Sequence, residues 1–149
     1  MSKSNATETA ILALIFNNTT WANIGDATGI VGSTTAGSLF PSLHTADPGE
    51  AGTATTSEIA YTGYARPSVA RSSGGWTVSG NQVTPVATIS FGQMTGGAGG
   101  TATFFGITRA VSGSVELLYS GAITTPSGGI SVTNTVTPQL TTATAMTED

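Results

Sequence analysis

The spacing of apolar and polar positions divides the chain into one helical stretch followed by a long run of short β segments. Near the start, Ala10, Ile11, Leu14 and Ile15 recur at helical spacing. Asn5 is placed to cap this helix, and Glu8, three positions on, completes a capping-box-like pattern and suits the positive end of the helix dipole. Asn17-Asn18 and the two threonines after them stop it. Residues 1–20 therefore read as a helix and arm that either closes the end of a β barrel or offers Ile11, Leu14 and Ile15 to a partner.

Residues 21–37, from Trp21 to Gly37, carry too many glycines for a strand and read as a loop. Asp26 within it suits a tight turn bonded to its own backbone, or a cation ligand. From residue 38 to 146 the pattern changes to short segments with a period of two. Ser38–Thr45 places Leu39 and Leu43 on one face and Phe40 and His44 on the other; Pro41 inside it points to an edge strand or a bulge. Asp47-Pro48-Gly49 is a type II turn. Glu58–Ser72 reads as extended, interrupted by Gly63 and Pro67. Trp76–Gly80 and Gln82–Phe91 read as two strands joined at Ser79-Gly80-Asn81. Further strands follow at 101–108, 114–120, 130–136 and 139–145, and the run Gly96–Gly100 reads as a flexible, exposed loop tip. About eight strands with close, regular turn signals predict a single all-β domain, a jelly-roll-like sandwich carrying one N-terminal helix.

Composition sharpens this picture. The 149 residues are 38% hydrophobic but only 8% charged, and small neutral residues fill the difference, with 20 Gly and 28 Thr. Disorder calls for low hydrophobicity and high charge, so the chain folds; threonine suits a pleated surface and glycine its turns. A net charge of −4 with four scattered Lys/Arg argues against a nucleic-acid partner. There is no cysteine, hence no disulfide or thiolate chemistry. No window reaches the length of a membrane span, and the apolar run 10–16 lacks the flanks of a signal peptide. So few charges suit a surface that stands against another protein.

Candidate chemistry is sparse. His44, Asp47 and Glu50 lie three apart, but the turn at Pro48-Gly49 separates them, so His44 reads as a half-buried strand residue and Asp47 as a turn former rather than as metal ligands. A serine beside His44 would be needed for nucleophilic catalysis, and no nucleophile elbow is present. Glu58 and Glu116, the two acids placed in or beside strands, read as partners of Arg66, Arg71 or Arg109 rather than as a glycosidase pair. Tyr61, Tyr64 and Trp76 form either a sugar-stacking face or core packing. No catalytic, cofactor or metal residue is assigned.

The segments SLHTADPGEAGT (42–53), TSEIAYTGYAR (56–66), VARSSGGWTVSG (69–80) and LLYSGAIT (117–124), with the MTED ending, resemble small structural proteins of tailed bacteriophages, some of them labelled tail-fibre proteins. The chain also resembles the capsid cement, or decoration, proteins of short-tailed phages of the Bordetella-phage type. That resemblance implies a non-enzymatic virion protein, made in the host cytoplasm, that sits on the outer capsid surface. There it would bridge subunits of the major capsid protein and associate with itself, a dimer being favoured, with no cofactor, nucleic acid or membrane partner. The contacts expected are Ile11, Leu14, Ile15, Trp21, Arg66, Arg71, Arg109 and the acidic tail at 147–149, with Glu148 and Asp149. The three arginines serve within the fold or across an interface. The alternative is a tail or fibre component that binds a host receptor or glycan; a small envelope hydrolase using Glu58 or Glu116 is a third class.

Overall fold

The computed structural model of the chain describes residues 2–148. Helix α1 spans Asn5–Asn17, and the strands are β1 (Ser38–His44), β2 (Val69–Ala70), β3 (Trp76–Ser79), β4 (Gln82–Pro85), β5 (Ile89–Ser90), β6 (Gly100–Ala102), β7 (Phe104–Thr108), β8 (Leu117–Ala122), β9 (Ile130–Val132), β10 (Gln139–Leu140) and β11 (Met146–Thr147). They form four small antiparallel sheets with orders β2-β1-β7-β8, β11-β4-β3, β10-β5 and β6-β9. The protein is mostly β with one N-terminal helix, as its residues predict. None of the sheets closes into a barrel, and these strand orders do not lay out a jelly roll.

Several predicted strands divide because neighbouring stretches join different sheets. The segment predicted at 82–91 breaks after Pro85 into β4, which pairs with β3 and β11, and β5, which pairs with β10. The segment at 101–108 breaks at Thr103 into β6 and β7, whose partners are β9 on one side and β1 and β8 on the other. The hairpin between β3 and β4 forms where expected: Ser79 pairs with Gln82, and Gly80 takes the first loop position at φ 61°, a conformation glycine adopts without steric cost. The run Gly96–Gly100 is no free loop tip. Gly96 bridges Thr62, and at Gly99 a Cβ would lie 2.2 Å from the Val132 carbonyl oxygen, so glycine there serves close backbone approach.

Pro41 illustrates a sound rule reaching the wrong place. β1 lies in the interior of its sheet, between β2 and β7, and is not an edge. The Leu43 N–H donates to the Tyr64 hydroxyl and the Leu43 carbonyl accepts from Ile59, so odd-numbered residues of β1 direct their backbone groups away from β7. On that side β2 reaches only Ser38 and Leu39. The donor that Pro41 lacks would therefore face a gap in the ladder, and pairing with β7 loses nothing.

α1 packs on the β3–β4 hairpin. Its cap is Ser4, one residue before the expected Asn5: the Ser4 hydroxyl accepts from the Thr7 N–H at 3.3 Å. Asn18 ends it in the left-handed conformation (φ 55°), as the double asparagine suggested. Leu12 and Phe16 are fully buried and join a core that includes Trp76, Val83, Phe105 and Ile107.

Candidate functional site

Two polar networks of ionisable side chains, centred on His44 and on Arg66, lie inside the fold. In the first, the His44 Nδ1 lies 2.8 Å from the Thr56 carbonyl oxygen and its Nε2 lies 2.8 Å from the Ser42 hydroxyl. A carbonyl can only accept, so Nδ1 carries the proton, and Nε2 of the neutral ring accepts from Ser42. The outline is that of a nucleophile, a base and a group that orients the base. Yet Ser42 and His44 are fully buried, and Gly106 of β7 closes over both: a Cβ there would sit 2.8 Å from each. No substrate can reach this serine, so the pair braces β1. His44, expected to be half-buried and without a metal, is fully buried with both ring nitrogens engaged. The Asp47 carboxylate accepts from the Gly49 N–H at 2.9 Å, the turn role predicted for it. Among the described residues no group of three potential ligands is placed to hold a metal ion.

Burial disfavours the charged imidazole and lowers the His44 pKa below its ordinary 6.5, against smaller opposing effects of the Thr56 bond and the Glu58 charge. The unfolded chain then takes up a proton near pH 6.5 that the folded chain refuses. Stability is whole above that pH and declines as pH falls through it. Because His44 is the chain's one histidine, its imidazole resonances give a direct check. They should show the neutral Nδ1–H tautomer at pH 6.5 and titrate only at lower pH, while the urea midpoint falls between pH 6.5 and 5. A midpoint flat over that range, or titration at or above 6.5, contradicts the assignment.

The second network centres on Arg66. Its Nε and Nη2 donate to the two oxygens of Glu58, both at 2.7 Å, and its remaining N–H groups donate to the carbonyls of Ala110 and Gly113 at 3.1–3.2 Å. The Tyr64 hydroxyl donates to the same Glu58 at 2.8 Å, and burial raises its pKa beyond the ordinary phenol range. Tyr64 also stacks on Phe91, with centroids 6.0 Å apart and planes at 5°, and meets Tyr61 edge-on. Trp76 is fully buried. Tyr61, Tyr64 and Trp76 therefore serve core packing, and no sugar-stacking face is built from them.

Arg71 serves α1. Its Nε donates to the Ile15 carbonyl at 2.6 Å, its Nη2 to the Leu14 carbonyl, and its Nη1 to the Ser33 hydroxyl at 3.1 Å. A helix leaves its last carbonyls without intrahelical partners and its C-terminus partially negative. α1 has no basic residue in its own last turn, so a cation from far along the chain supplies the cap. Arg109 forms a solvent-exposed pair with Glu116, Nε to Oε1 at 2.7 Å. Glu116 thus finds Arg109 and Glu58 finds Arg66, within the set of pairings predicted. Glu148 accepts from the Tyr119 hydroxyl at 2.7 Å and faces Lys3 at 3.3 Å, so this part of the acidic tail is anchored to the fold. Asp149 lies outside the described residues.

The apolar surface lies elsewhere. Residues 21–30 form a finger: Trp21 and Ile30 exchange backbone hydrogen bonds at 2.9 Å, and Asp26 accepts from the N–H groups of Thr28 and Gly29, making the turn predicted for it. Asn18 holds the next segment with both ends of its amide, one to the Ser33 N–H and one to its carbonyl. On this rigid mount Ile24, Ile30 and Val31 are 44%, 43% and 59% exposed. Beside it, Ala6, Ala10 and Ala13 of α1 and the half-buried Trp21 line an apolar groove of about 450 Å³. Ile11, Leu14 and Ile15 are half-buried, and Ile15 packs against the core. The residues that sequence reasoning missed are Ile24, Ile30 and Val31. Their signal was present as β-branched aliphatics scattered in a stretch otherwise composed as a loop.

Ionisable groups spent on bracing, with apolar side chains held out on a helix and a finger, define a protein whose work is contact, a structural protein. The chain belongs to the family described as Podophage GP4 fiber I protein gp80, which matches over residues 2–143. It is thus a virion component of the fibre class. No curated protein matches the chain. The family overturns the resemblance to capsid cement proteins, and the location on the capsid surface is corrected to the fibre. The physical reason for the error is plain: low charge and a threonine-rich exterior suit any surface that stands against a neighbour, and they do not distinguish shell from fibre.

Proposed function

We propose that this chain is a non-enzymatic structural component of a short-tailed phage's fibre, holding its place through protein–protein contact. The observation that carries this reading is the division of labour among the side chains. Arg66, Arg71, Glu58 and His44 are consumed in fixing the fold, while Ile24, Ile30 and Val31 on the finger at residues 21–31 stand exposed, as do Val86, Val111 and Leu118 elsewhere on the surface. Apolar side chains held out on a hydrogen-bonded loop favour association. Host-surface attachment by the assembled fibre is compatible with this role, but the tyrosines and Trp76 are not its instrument.

Particles made without this protein test the reading. They should have DNA-filled heads of normal stability and lack fibre density, and antibody to the chain should label fibres on complete particles. Label on the capsid shell, or intact fibres in its absence, would sink the proposal.

A further inference from the structure

We infer that the recess between the end of α1 and β8 receives an acidic residue of a neighbouring protein, one flanked by an aliphatic side chain. The inference rests on the reading of the chain as a protein that works by contact, and it names the chemistry of what is contacted.

Four parts of the chain meet at this recess: Ile15 of α1, residues 36–39 at the start of β1, Arg71 just after β2, and Arg109 with Leu118 on the β7–β8 side. Its volume is about 300 Å³, the lower end of the range for ligand pockets, so it admits one or two side chains and not a folded element. Ile15 packs against the core, Leu39 is buried, and Leu118 is 37% exposed. Together they give the recess apolar walls.

The charges give it a sign. The chain has eight acids against four Lys/Arg, yet two of those four cations line this recess and no Asp or Glu does. Lys3, Arg66 and Arg109 each face a carboxylate. Arg71, among the described residues, bonds only to the neutral oxygens of Leu14, Ile15 and Ser33. Its charge is offset by no more than the partial negative end of α1. Those bonds engage three of its five N–H groups, and Glu116 engages two of those of Arg109. The Arg109–Glu116 pair is solvent-exposed and therefore weak, so Arg109 can turn its other donors to an incoming anion at little cost.

Both features select the occupant. Guanidinium favours a carboxylate, which its planar fork can grip, over a neutral group. A bare inorganic anion gains nothing from Ile15, Leu39 and Leu118, and a purely aliphatic segment leaves the charge of Arg71 unanswered. An acidic residue beside an aliphatic one meets both demands.

Capped dipeptides titrated into the isotope-labelled full chain test this by NMR. Acetyl-Leu-Glu-amide should shift the methyl resonances of Ile15, Leu39 and Leu118 and the Nε–H resonances of Arg71 and Arg109. Its dissociation constant should be on the order of a millimolar, the scale for so small a ligand, and should rise with salt. Acetyl-Leu-Gln-amide and acetyl-Gly-Glu-amide should each bind about tenfold more weakly. Arg109→Ala and Leu118→Ala, both at exposed positions, should keep the unmodified urea midpoint while weakening the Leu-Glu peptide several-fold. Absence of shifts at these residues, equal binding of the glutamine peptide, equal shifts from inorganic phosphate, or undiminished affinity in both variants overturns the inference. Fibre labelling on particles would survive any of those results, so the two readings fail separately.

Discussion

Replacing Arg66 by alanine should cost the fold about 3–5 kcal/mol, the usual penalty for breaking a buried ion pair by removing one partner. The side chain is 3% exposed and that of Glu58 15%. Truncation leaves the Glu58 carboxylate with the Tyr64 hydroxyl alone, and leaves the Ala110 and Gly113 carbonyls without their donor. The loss spreads beyond one contact because the guanidinium joins the segment before β2 to the β7–β8 connection, and through Tyr64 to the backbone of β1. Arg66→Lys should rescue little, since one ammonium cannot reproduce the bidentate fork and the carbonyl contacts together. Arg109→Ala is the control. Its pair with Glu116 stands in solvent, where screening and side-chain entropy cancel most of the attraction, so its unfolding midpoint should match that of the unmodified protein. Urea denaturation of the three variants decides the matter; a midpoint for Arg66→Ala equal to that of Arg109→Ala would show that the buried network does not brace the fold.

That network also shows what the sequence could and could not convey. The β class, the helix with its stop at Asn18, the β3–β4 hairpin and the turns at Asp26 and Asp47 rest on short-range chemistry, and each was legible. The pairing of Glu58 with Arg66 was legible as one of a few options, because so few charges exist. The role of Arg71 was not. Its partners are carbonyls of Leu14 and Ile15, groups every residue carries, so no side-chain pattern marks them. Sheet membership was hidden for a related reason. Thr103 and Pro85 divide stretches that alternate without interruption, and only tertiary partners reveal that the two halves belong to different sheets. The buried Ser42–His44 pair was open to misreading from the other direction, as residue types suited to catalysis, until Gly106 was seen to cover it. At the surface, loop composition concealed Ile24, Ile30 and Val31, whose exposure depends on how the finger is mounted.

The attachment of that mount leads to the second large effect: Phe16→Ala should destabilise the protein by about 3–5 kcal/mol, the range for truncating a buried aromatic. Phe16 is fully buried and meets Trp76 edge-on with centroids 5.0 Å apart and Tyr119 at 5.4 Å, so one ring joins α1 to β3 and β8. The Trp76 indole N–H has no hydrogen-bond partner among the described residues, which leaves packing against rings such as Phe16 to hold that side chain. A 13-residue helix is marginal on its own in water. Without Phe16, α1 keeps Leu12 and the Arg71 cap but loses its main anchor, so it should open ahead of the sheets. Amide exchange should therefore accelerate first in α1 and in the finger that α1 supports, with β1 and β7 protected for longer. An Ile11→Ala change, at a half-buried position, should destabilise the protein far less. If Phe16→Ala unfolded in one step, with α1 and β1 amides exchanging together, α1 would be an integral part of the core and not a separately docked platform.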